Sequence, residues 1–144
     1  MRDSVNRHER LLAASHPRRA RVEDTGALAR LFTAAFMNDP VFDWVARPGP
    51  KRAGGLERFF FWLLRGRAIP FGEVWMSHDG TACAAWLPPD SPPDQGGFRE
   101  QMRMLALFMR LCGLPRLRRG SAMAGAMEHN HPAERHFYLA FIAV

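Results

Sequence analysis

Apolar side chains recur along this chain with two spacings, and each spacing names an element. Leu28, Leu31, Phe32, Ala35 and Phe36 fall at i, i+3, i+4, i+7 and i+8. They form one stripe of a helix, which predicts a helix N-capped by Asp24 or Thr25. Asn38-Asp39-Pro40 interrupts it, and Asp39 as N-cap with Pro40 at the first helical position restarts a short turn through Val45. Leu56, Phe59, Phe60, Leu63 and Leu64 repeat the helical spacing after a Pro- and Gly-rich stretch, 47–55, that reads as a flexible loop. Phe98, Met102, Leu105, Met109 and Cys112, widened by Leu107, Phe108 and Leu111, predict a third long helix closed by Gly113 and Pro115. So broad an apolar face implies burial on more than one side or an exposed patch. Residues 115–128 make a weaker helix, with Gly120 and Gly125 inside it and Arg116, Arg118 and Arg119 in the first turn, where the helix dipole disfavours cations.

The other spacing is that of strands. Residues 72–77 and 81–87 flank His78-Asp79-Gly80 and predict a hairpin. Pro88-Pro89 ends the second strand by removing donors, and residues 88–97 continue as a Pro-, Asp- and Gly-rich loop. Residues 20–23 read as a short first strand, and residues 1–19 as a flexible N-terminal extension. The last eight residues, 137–144, are all apolar or aromatic, so Phe137, Leu139, Phe141 and Ala143 line one pleat face and Tyr138, Ala140, Ile142 and Val144 the other. Such a strand is expected at the centre of a sheet, covered on both faces and paired on both edges. A continuation beyond Val144 is therefore expected. The alternation gives one mixed α/β domain over 20–144, a mostly antiparallel sheet flanked by helices with its C-terminal part missing.

Composition adds limits. The net charge of +6 comes from nineteen arginines and one lysine, Lys51. This points to a drift in composition towards Arg, Ala and Gly as much as to a functional basic surface. The arginines are not interleaved with stacking aromatics, so no nucleic-acid partner is expected; such a binder would lose affinity steeply with salt. No apolar run approaches the ~20 residues of a membrane helix, and no membrane partner is expected. Cys83 and Cys112 have no Cys-x-x-Cys spacing and no matching Cys/His set, and read as buried, reduced fillers of a cytoplasmic protein.

Three separated pieces resemble one family. His131-Pro132 followed by His136-Phe137-Tyr138-Leu139 and Val144, Asp39-Pro40-Val41-Phe42 after the first long helix, and Ala84-Ala85-Trp86-Leu87-Pro88-Pro89 closing a strand are similar, in this order, to the GNAT superfamily of N-acyltransferases. The resemblance spans most of 21–144 and ends at the family's fourth strand. It implies a partial GNAT-like fold and an acetyl-CoA-dependent N-acetyltransferase domain, transferring an acyl group from a CoA thioester to a small-molecule or peptide amine. In the family the fourth strand runs into a Gln/Arg-x-x-Gly-x-Gly/Ala loop that holds the pyrophosphate of acetyl-CoA, and the sequence has no such loop after Val144. Residues 1–144 alone are thus expected to be inactive and to bind acetyl-CoA weakly or not at all. By position, the backbone of Ile142, Ala143 and Val144 matches the segment that pairs with pantetheine.

Acyl transfer also needs a route for the amine proton. Asp39, beside the turn that borders the acceptor site in the family, and Glu73, at the start of the second strand, are the candidate catalytic residues; such a carboxylate is more often a cap or an edge carboxylate. His129, His131 and His136 lie within eight residues but lack a third ligand in register, so no metal is expected. The alternative is a non-catalytic binding module that pairs its open strand with a partner chain or with a second copy of itself.

Overall fold

A computed structural model describes residues 2–71, 73–89 and 97–144. The order is α1 (Arg2–Ser15), β1 (Arg18–Arg19), α2 (Thr25–Phe36), α3 (Pro40–Val45), α4 (Arg52–Leu63), β2 (Val74–Met76), β3 (Cys83–Leu87), α5 (Phe98–Cys112), α6 (Leu117–His129) and β4 (Tyr138–Ala143). The strands form a single antiparallel sheet in the order β1-β2-β3-β4. This is a mixed α/β fold.

Helices α2, α3 and α4 gather on one face of the sheet, and aromatic packing holds them there. Phe32 and Phe36 of α2, Phe42 of α3, Phe59 and Phe60 of α4 and Phe141 of β4 form one cluster, with ring centroids 5.3 to 6.2 Å apart. Phe32 and Phe60 are fully buried at its centre. The α2 stripe is rotated from the expected one: Thr25, Leu28, Ala29 and Phe32 are buried, Leu31 and Phe36 are half-buried and Ala35 is exposed.

Several expectations are corrected. The first strand is Arg18–Arg19, paired with Trp75 and Met76, and Ala20 N–H donates to Val74 O at 2.8 Å, so the sheet begins inside the segment assigned to an extension. Residues 2–15 of that segment are helical, and Ala13 O accepts from His78 N–H at 3.2 Å. Residues 22–24 turn as a 3-10 helix because the Asp24 carboxylate accepts Arg21 N–H at 2.8 Å and both guanidinium nitrogens of Arg18 at 2.7 and 2.8 Å. That carboxylate is occupied there and makes no cap bond to α2. Residues 52–55 are helix, not loop. A Cβ on Gly55 would lie 3.0 Å from Arg110 O, so the glycine is what lets α4 and α5 touch backbone to backbone.

A further correction concerns β4. It pairs with β3 alone, and its outer edge has no strand beside it among the described residues. Ala85 pairs with Phe141 but Trp86 pairs with Leu139, so Ala140 is a bulge and the alternation slips by one residue. Tyr138, Phe141 and Ala143 then share the helix-covered face, while Leu139 and Ile142 join Trp75, Ala84 and Trp86 on the other, which is only partly covered: Ile142 is 57% exposed and Leu139 37%. Of the two outcomes open for the broad face of α5, burial on more than one side or an exposed patch, the structure shows the patch, as Phe98, Met102 and Leu105.

The hairpin forms as expected. Gly80 has φ +74°, and Asp79 ties the loop by accepting Ser77 Oγ–H at 2.6 Å and Thr81 N–H at 3.1 Å. Those bonds hold the Asp79 carboxyl below its ordinary range.

Candidate functional site

Two places along β4 are candidate sites. At its C-terminal end Ile142 and Ala143 pair with Ala84 and Cys83, and Val144 follows fully exposed. Their outer backbone edge is free of any strand among the described residues. An extended edge of this kind offers alternating N–H and C=O groups to an amide-bearing ligand or to another strand. The side chains from Phe137 to Val144 carry no charge that would repel either.

At the N-terminal end, the loop leading into β4 curls against the end of β3. A groove of about 320 Å³ opens there between Leu87, Pro88 and Pro89 on one side and His131, Glu134, His136 and Tyr138 on the other. The His131 ring lies 4.7 Å from that of His136 and 5.3 Å from that of Tyr138, centroid to centroid. His136 Nδ1 lies 2.7 Å from Glu134 O and donates to it, which leaves Nε2 as a buried nitrogen with no protein partner. The sequence places these histidines close together along the chain without a metal to hold. It did not expose the groove, which exists only because Pro88-Pro89 and His131-Pro132 meet across more than forty residues.

The two candidate carboxylates are not brought together. Asp39 Oδ1 accepts the N–H groups of Val41 at 2.9 Å and Phe42 at 3.0 Å, the bonds of an N-cap on α3, in the helical layer. Glu73 precedes β2 and turns to the opposite, open face. There its Oε2 accepts Trp75 Nε1–H at 3.3 Å, and Oε1 faces Arg19 at 3.4 Å while the Arg19 guanidinium stacks 5.1 Å over the Trp75 ring. Trp86 N–H donates to Glu73 O, so Glu73 is two strands from β4, in the row of Leu139.

Neither cysteine adds chemistry. Burial pushes the Cys83 thiol up to about 12 and raises that of Cys112, so both stay protonated and unreactive at neutral pH. Among the described residues no group of three His, Cys, Asp or Glu side chains could hold a metal, and no helix is long and apolar enough to cross a membrane. Scanning against protein-family models finds no match, and comparison with curated proteins finds none either.

Proposed function

We propose that this chain is the acceptor-side part of an acetyl-CoA-dependent N-acetyltransferase, using the outer edge of β4 to hold pantetheine. The observation that carries the proposal is that free, uncharged edge at Ile142, Ala143 and Val144, on a four-stranded antiparallel sheet flanked by helices. Acetyl-CoA would supply the activated acyl group. The chain would supply backbone donors and acceptors along β4 and, at the strand's other end, the groove between Pro88-Pro89 and His131–His136 for an amine.

Of the two carboxylates, Glu73 suits proton removal better. It shares the open face with Leu139 and Ile142, whereas Asp39 is committed to capping. At two strand spacings, about 9–10 Å from β4, Glu73 would act through water.

A second reading, a binding module that adds a partner's strand to β4, is favoured by the open face of Trp75, Trp86, Leu139 and Ile142 beside that edge. Amide spectra of the chain titrated with pantetheine and with acetyl-CoA at millimolar concentration separate the two. Shifts confined to residues 139–144 support the acyltransferase. Saturation without any shift there overturns it, and concentration-dependent broadening of the same amides without ligand favours strand addition.

A further inference from the structure

Away from β4, the start of α4 and the end of α5 enclose a second groove, of about 370 Å³, lined by Arg47, Pro50, Lys51, Gly54, Gly55, Arg58 and Arg110. We infer that this groove binds the phosphate groups of a compact polyphosphate. Four of the seven residues are cations and none is an acid. Among the described residues, none of the four has a side-chain hydrogen bond or an ion pair, whereas the neighbouring cation Arg52 is paired with Asp43 at 2.9 Å.

The cluster is built rather than incidental. Arg47 N–H donates to Leu111 O at 2.7 Å, which ties the loop after α3 to the last turn of α5. The close approach of Gly55 to the backbone of Arg110 fixes α5 against the first turn of α4. Gly54 is exposed with open space where a Cβ would stand, so an anion can approach the helix backbone closely. Lys51, the N-cap of α4, makes no side-chain cap bond, leaving the positive end of the helix dipole to add to the four charges. Like charges gathered within a Debye length of about 8–10 Å repel one another, and a multivalent anion turns that repulsion into affinity.

The lining also selects among anions. It has no aromatic or other large apolar side chain on which a base could stack, so it reads phosphates rather than nucleobases. Four converging cations suit a linear anion of several charges better than a single orthophosphate.

The test is calorimetric titration of the whole chain with inorganic tripolyphosphate, orthophosphate and a short single-stranded oligothymidylate, at low and at physiological ionic strength. Tripolyphosphate should bind more tightly than orthophosphate, and salt should weaken it. The double variant Arg58→Ala/Arg110→Ala should bind it at least about tenfold more weakly, and Lys51→Ala should weaken it by a smaller factor. Arg118→Ala, on the exposed face of α6, should bind as the parent does. Arg58 and Arg110 are both exposed, and unchanged near-UV circular dichroism will show that the variants fold. Absence of tripolyphosphate binding, or an equal loss in Arg118→Ala, overturns the inference. So does tighter binding of the oligothymidylate through the same residues, which would make the groove a nucleic-acid site.

Discussion

Truncating Phe141 to Ala tests the arrangement on which the β4 site depends. Its ring meets those of Phe32, Phe36, Phe59 and Phe60 edge-on, at interplanar angles of 71° to 89°, and lies tilted against Phe42. Removing a buried phenylalanine costs about 3–5 kcal/mol. Phe141 is half-buried, which puts the expected loss at the lower end, about 3 kcal/mol, or a fall in Tm of roughly 6–12 °C for a chain of this size. Ile142, 57% exposed on the other face, should lose no more than about 1 kcal/mol as Ala. The deciding variant is Leu139→Ala. In a regular strand Leu139 would share the face of Phe141 and its loss would be large; the Ala140 bulge moves it to the open face, so its cost should match that of Ile142. Urea unfolding followed by circular dichroism measures all three. Leu139→Ala costing as much as Phe141→Ala would refute the bulge, and with it the assignment of Leu139 and Ile142 to an open face.

Three further outcomes follow from close contacts and from one ion pair. Gly54→Ala should stabilise by about 0.5–1 kcal/mol, because the site is open and helical, whereas Gly55→Ala should destabilise by about 1–3 kcal/mol against Arg110 O; thermal melts that rank them the other way would show that α4 and α5 do not touch here. Gly120→Ala brings a methyl to 2.9 Å from Cys112 Sγ and should cost about 1–2 kcal/mol, most of it recovered in a Cys112→Ala background; purely additive losses would deny the contact. The Arg18 guanidinium holds the Asp24 carboxyl at about 2, below its ordinary 3.8. A depressed carboxyl stabilises the fold above its unfolded value and loses that contribution as pH falls towards 2, so Asp24→Asn should cost about 1 kcal/mol at neutral pH, discounted for the pair's exposure, with the difference vanishing near pH 2; a difference that grows as pH falls would contradict the pairing.

Helical periodicity made the long helices legible, and α5 runs from Phe98 to Cys112 as its apolar pattern predicts. What the sequence hid was whatever depended on a partner distant along the chain. Gly54-Gly55 reads as a breaker until Arg110 O is beside it. The arginines of the first turn of α6 oppose their own helix dipole, yet Arg116 donates to Asp43 O at 2.7 Å and Ala46 O at 2.6 Å, and Arg119 to Trp44 O at 3.2 Å. They bind the negative end of α3, some seventy residues away, and that contact stabilises a helix which propensity alone leaves weak. The apolar run at 137–144 gave the strand but not its bulge. A period of two cannot announce where it will slip, and the slip decides which side chains meet water.

The arginines also show why composition understates a site. A drift towards arginine explains the number of cations, but it does not explain their sorting. Arg18 is bound to Asp24, Arg52 to Asp43 and Met37 O, Arg19 to Glu73 and the Trp75 ring, and Arg116 and Arg119 to the end of α3. Each of these cations has a partner that accounts for its position. Arg47, Lys51, Arg58 and Arg110 come from a loop and two helices, share one groove and have no such partner among the described residues. Cations scattered by drift would separate on an exposed surface to lower their mutual repulsion. Cations held together by a glycine contact and a backbone hydrogen bond keep that repulsion in the folded state, and a multivalent anion bound in the groove would relieve it.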